Sequence, residues 1–135
     1  MERIGFCIFI LCIGAILGYQ LFKKYGNSRL VSGMDPVNSF LKKNYSEYHG
    51  MWEPIKRVEC RDGFSISIQA GFYTYSTPRR DKAWPYTEVE LGFPSELDHL
   101  IDIYAEDPGT TKTVYGYVPI KVVNKLIKKH GGIIN

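Results

Sequence analysis

Residues 58–70, VECRDGFSISIQA, decide the architecture. Apolar and polar side chains alternate on both sides of Asp62-Gly63: Val58 and Cys60 before it, then Phe64, Ile66, Ile68 and Ala70, with Glu59, Arg61, Ser65, Ser67 and Gln69 between them. Successive strand side chains point to opposite faces, so each run reads as a half-buried strand. Asp-Gly accepts the positive φ of a tight hairpin turn, which pairs the two runs antiparallel. Beyond Gly71 the aromatic run Phe72-Tyr73-Thr74-Tyr75 either prolongs the sheet or bends away from it.

Toward the C-terminus, a polar connection over residues 76–85 leads to another alternating run. Thr87, Val89, Leu91 and Phe93 share one face, with Tyr86, Glu88 and Glu90 on the other. Ser95 then predicts a capped short helix carrying Leu97, Leu100, Ile101 and Tyr104, which stops near Asp107-Pro108-Gly109. A strand over 114–118 precedes a last helix opened by Pro119, with Ile120, Val123, Leu126 and Ile127 on one stripe. Gly131-Gly132 ends it, and Lys128, Lys129 and His130 sit at the negative end of its dipole. Toward the N-terminus, Asp35-Pro36 is an N-cap followed by a first-turn proline. It predicts a helix over 36–48 that carries Val37, Phe40, Leu41, Tyr45 and Tyr48 and ends before Gly50. The order predicts an α+β domain over residues 35–135: a small, mostly antiparallel sheet with helices packed on one face.

The chain has 135 residues, enough for one such domain and an N-terminal extension. Residues 4–22, IGFCIFILCIGAILGYQLF, carry no formal charge. As a helix at about 1.5 Å per residue they would cover about 28 Å, close to the hydrocarbon thickness of a bilayer. Residues 18–22 make a poor signal-peptidase site, and Leu11 before Cys12 does not suit a lipoprotein signal, so an uncleaved anchor fits best. Residues 1–24 are thus a membrane-anchor candidate of transmembrane-helix type, and residues 25–34 (YGNSRLVSGM) a linker. Lys23, Lys24 and Arg29 outweigh Arg3, which predicts a single pass through the inner membrane with the domain cytoplasmic. Translation from Met34 is the alternative and would leave a cytoplasmic domain alone.

The net charge of +3 resides in the N-terminal segment. Four bases and one acid precede Met34; 13 bases and 13 acids make up the rest. A neutral domain lacks the footprint of a general nucleic-acid binder. Acids crowd residues 81–107 and lysines residues 112–129, an order that either makes two faces of opposite sign or neutralises itself across adjacent elements. Cys7 and Cys12 lie in the apolar run, leaving Cys60 without a disulfide partner in the domain.

Signals of catalysis are sparse. His49, His99 and His130 fall in separate elements without metal-ligand spacing, and no nucleophile elbow, Walker loop or dinucleotide fingerprint occurs. No metal or cofactor is expected. Cys60, on an apolar strand face, reads as a buried structural thiol. Glu88 and Glu90 project from one strand face, where paired carboxylates could serve acid–base chemistry, hold a divalent cation or simply form a solvated face. The segment 72–86 is more distinctive. It interleaves Phe72, Tyr73, Tyr75, Trp84 and Tyr86 with Arg79, Arg80 and Lys82, a mixture found in protein-binding hot spots and in base-stacking sites, with Tyr73, Tyr75, Arg79, Arg80, Trp84 and Tyr86 the candidate binding residues. A binding module for a protein partner is therefore the leading expectation. A small nucleotide-binding protein or hydrolase using Arg79, Arg80, Glu88 and Glu90 is the alternative.

The phrases DGFSISIQA (62–70), YTEVELGFPSE (86–96), YAEDP (104–108), TVYGYVP (113–119) and KHGGI (129–133) resemble short uncharacterised proteins encoded by bacteriophages and prophages of gut bacteria. The resemblance spans roughly residues 52–133. It implies a viral accessory role, carries over no activity or site residue, and sets the N-terminal apolar segment apart from the soluble members.

Overall fold

The structure is a computed structural model that describes residues 33–46 and 53–135. The membrane-anchor candidate at residues 1–24, most of the linker, and the expected helical residues beyond Ser46 lie outside them. Among the described residues no helix is long and apolar enough to cross a membrane.

Within the compact unit Asp35–Asn135, helix α1 (Pro36–Lys43) precedes strands β1 (Val58–Glu59), β2 (Ser65–Gln69) and β3 (Glu88–Gly92). A single 3-10 turn (Asp102–Tyr104), strand β4 (Val114–Pro119) and helix α2 (Ile120–Lys129) follow. The four strands form one sheet in the order β1-β2-β3-β4, every neighbouring pair antiparallel. This is the α+β domain with a small antiparallel sheet that the alternation implies.

Val58, Ile66, Ile68, Val89, Leu91, Tyr115 and Val118 make the apolar side of the sheet. They join Val37, Phe40 and Leu41 of α1 and Val123, Leu126 and Ile127 of α2 in one core. Asp35 caps α1 as expected, its Oδ1 accepting from the Asn38 amide at 3.0 Å. The Asp62-Gly63 turn also matches, with Gly63 at φ 94° and Asp62 Oδ1 accepting from the Phe64 amide. The chain end covers the outer edge of β1: Ile133 bridges Cys60, the Ile134 amide donates to the Glu59 carbonyl, and Asn135 Nδ2 donates to the Arg57 carbonyl.

Four sequence expectations change. Helix α1 stops at Lys43, where Asn44 leaves helical geometry at φ −104° and ψ 8° and its Nδ2 caps the Phe40 carbonyl. The expected helix after Ser95 shrinks to the 3-10 turn. Ser95 is recruited by β2 instead, its amide donating to the Ser65 carbonyl and its Oγ accepting from the Ser65 amide. Phe93 does not stay with Leu91, since a φ of 50° breaks the strand pleat and leaves its ring exposed. Tyr86 is core rather than surface, at 2% exposure.

Asn38 is the reason Tyr86 is fixed so firmly. Fully buried, it accepts from the Tyr86 amide at 2.7 Å and donates to the Tyr86 carbonyl at 3.0 Å. One side-chain amide thus does for Tyr86 what a neighbouring strand would do, tying α1 to the start of β3.

Candidate interaction surface

The segment between β2 and β3 bends away from the ladder and folds over the polar side of the sheet. Its turn is closed by buried hydroxyls. The Gly71 amide donates to Ser76 Oγ at 3.1 Å, and the Thr74 hydroxyl lies 3.1 Å from the Gly71 carbonyl. Thr77 then runs antiparallel to Glu88, its amide donating to the Glu88 carbonyl.

This scaffold holds aromatic rings outward. Phe72 is 58% exposed and Tyr73 55%, values that leave most of each ring in water. Both backbone groups of Phe72 are nevertheless tied down, the amide donating to Asp81 Oδ1 at 2.9 Å and the carbonyl accepting from Arg79 Nε at 3.1 Å. Tyr75 is held in the same way: its amide donates to Glu90 Oε2 at 2.9 Å, and its carbonyl accepts from the Tyr117 amide at 3.0 Å.

The rings meet in two pairs. Phe72 and Tyr73 stand edge to face, 5.1 Å apart, and Tyr75 and Tyr117 lie 5.7 Å apart. Arg79 joins the pairs, since its guanidinium carbon sits 5.7 Å from the centre of the Tyr75 ring while its Nε holds Phe72. Exposed aromatics on a rigid backbone supply large contact area at little entropic cost on binding.

Of the residues singled out in the sequence, Tyr73, Tyr75 and Arg79 fall within this surface. Arg80 is exposed beside Arg79, and its carbonyl accepts from the Tyr86 hydroxyl at 2.7 Å. Trp84 belongs to a different contact, half-buried against the core with Tyr45 edge-on at 5.5 Å. Tyr86 is removed from the surface by burial. Tyr117, which sequence reasoning overlooked, enters through tertiary contact with Tyr75; only its exposed strand context hinted at it.

Glu88 and Glu90 are occupied by the loop. Thr77 Oγ1 donates to Glu88 Oε1 at 2.8 Å, matching the hold of Glu90 on Tyr75 two residues away. The two carboxylates therefore act as supports spaced to the antiparallel register.

A second polar cluster lies at the end of α2. His130, 5% exposed, stacks on Phe64 at 3.9 Å, with Nδ1 2.7 Å from Asp62 and Nε2 3.3 Å from Asp98. Lys129 Nζ donates to the same Asp98 oxygen at 2.6 Å. This pair joins the lysine-rich and acid-rich stretches, as expected if they neutralise each other. Burial raises the Asp98 carboxyl, yet hydrogen bonds from Lys129, the Leu100 amide and His130 outweigh it and hold the group below its ordinary 3.8. Both imidazole nitrogens face carboxylates within the protein, so the cluster staples α2 to the hairpin turn. Burial pushes the Cys60 thiol up, with Asp62 adding to the effect, which suits a packed thiol rather than a nucleophile.

Among the described residues no group of three or more His, Cys, Asp or Glu side chains is placed to hold a metal ion. An open cleft of about 430 Å³ runs between Pro36, Asn124, Ile127, Lys128, Gly131, Gly132 and Ile133, a lining without an acid, an imidazole or a thiol. No protein-family model, curated protein or solved structure matches the chain.

Proposed function

We propose that this chain is a phage-type accessory protein whose domain is a protein-interaction module, tethered to the inner membrane through residues 4–22 with the domain in the cytoplasm. If translation starts at Met34, the same module works untethered. The tether rests on the uncharged apolar run and its basic flank, and it would confine the module to the layer where a membrane-associated partner is concentrated.

One observation carries the interaction reading: Phe72 and Tyr75 present exposed rings while amide and carbonyl of both residues are bonded by Asp81, Arg79, Glu90 and Tyr117. Polar contacts are invested in holding apolar surface out of the core. That arrangement suits a preorganised hot spot.

The test is quantitative capture from the natural host with the full chain as bait, compared with its Phe72→Ser/Tyr73→Ser variant. A partner enriched by the parent chain and lost with the variant, at an unchanged unfolding midpoint, supports the module. Identical captured sets contradict it.

A further inference from the structure

Strand β4 carries an extra residue where the surface is built. Val89 pairs with Val118 and Leu91 with Tyr115, so Gly116 and Tyr117 together stand opposite Glu90. Such a bulge re-aims side chains and sharpens the local bend. Here it leaves Tyr117 at φ 52°, a left-handed conformation that costs a bulky residue energy and that glycine or asparagine would accept more readily.

Tyr75 fills the bulge. Its ring rests over Gly116, its carbonyl takes the Tyr117 amide, and its own amide is held by Glu90, the residue facing the bulge. The strained backbone therefore sets the Tyr117 ring beside Tyr75 and in the open.

Charge of both signs lies beside these rings, and Arg79 is the cation set against the Tyr75 face. Glu90, Asp81 and Glu88 each accept from the loop, at the Tyr75 amide, the Phe72 amide and the Thr77 hydroxyl. Arg79 uses Nε on Phe72, and no ion pair among the described residues involves Arg79 or Arg80. A guanidinium fork next to aromatic faces matches a carboxylate in geometry and charge.

We propose that Tyr75, Tyr117 and Arg79 form a clamp for an acidic segment of the partner protein, a side-chain carboxylate pairing with Arg79 while an adjacent apolar side chain lies on the two tyrosine rings. The clamp rests on the interaction reading above and gives it a partner chemistry.

The test is selection of short random peptides on the full chain in detergent, followed by titration of the enriched peptides as synthetic probes. The clamp selects peptides with Asp or Glu beside an aromatic or aliphatic residue. Their affinity falls about tenfold or more when the acid becomes its amide, or when Arg79→Gln is introduced. Tyr117→Gly loses binding while its unfolding midpoint stays or rises, because glycine accepts the backbone angle; Tyr117→Asn serves the same purpose if glycine loosens the strand. Peptides that need Phe72 and Tyr73 but ignore the amide exchange overturn the acidic occupant and leave the interaction surface standing. Peptides that bind equally after Phe72→Ser/Tyr73→Ser/Tyr75→Ser overturn both. An oligothymidylate probe that binds more tightly than every peptide and depends on Arg79 also overturns the clamp.

Discussion

The Tyr75 ring rests on the bare Cα of Gly116, so closely that a Cβ at residue 116 would stand 3.3 Å from the Tyr75 Cβ. Tyr75 has little freedom to yield, since Glu90 holds its amide and Tyr117 holds its carbonyl. Gly116→Ala is expected to lift the ring and misalign the surface, at a stability cost of roughly 1 kcal/mol. Urea unfolding and partner titration check this: binding should fall more steeply than stability, and equal binding by the variant would refute the seat.

Ser76 is 1% exposed and takes up the Gly71 amide at the base of the aromatic turn. Ser76→Ala leaves that amide without its hydroxyl partner and should cost about 1–2 kcal/mol. Hydrogen exchange at residues 71–76 should accelerate while the amides of β2 keep their protection.

Asn38 is the counterpart in the core. Its removal as Asn38→Ala strands the amide and carbonyl of Tyr86 in a buried site and should cost about 2–4 kcal/mol, read as a shift of the urea midpoint. A loss below about 1 kcal/mol would mean that water replaces the side chain.

Three carboxyl groups are held below their ordinary 3.8. For Asp98 and Asp35, burial opposes the shift and is outweighed by hydrogen bonds, from Lys129, Leu100 and His130 in one case and from Asn124 and Asn38 in the other. For Asp62 the Phe64 amide leads, with His130 next. A carboxyl with a depressed folded value contributes stability above its unfolded value, and the contribution disappears as pH falls through the folded value. Stability should therefore decline on acidification below about pH 4, and Asp98→Asn should be less stable at neutral pH with a shallower acid decline. Urea midpoints collected from neutral to acid pH decide; parallel curves for parent and variant would refute the assignment.

Most of the sheet was legible because each strand keeps one face dry. Ile66 and Ile68, Val89 and Leu91 announce their faces by simple alternation, and Asp62-Gly63 announces the turn. The failures share a cause in long-range polar contacts that override local pattern. Nothing near Tyr86 in the sequence signals that Asn38 will bury it, and nothing near Ser95 signals that β2 will claim it in place of a helix. The site was half legible for the same reason. Interleaved tyrosines and arginines marked residues 72–86, but the loop separates Trp84 from Tyr75, while the β4 bulge supplies Tyr117 from a distant stretch.

The central claim is that the outward rings of residues 72–79 and Tyr117 meet another protein. Site-specific photo-crosslinking in the natural host tests it most directly, with the reactive residue placed at Tyr73 and, as a control, at Ile103, which is 84% exposed on the 3-10 turn. The account predicts a discrete adduct from position 73 that disappears in the Tyr117→Gly background, and none from position 103. No adduct from 73, or the same adduct from both positions, would contradict it.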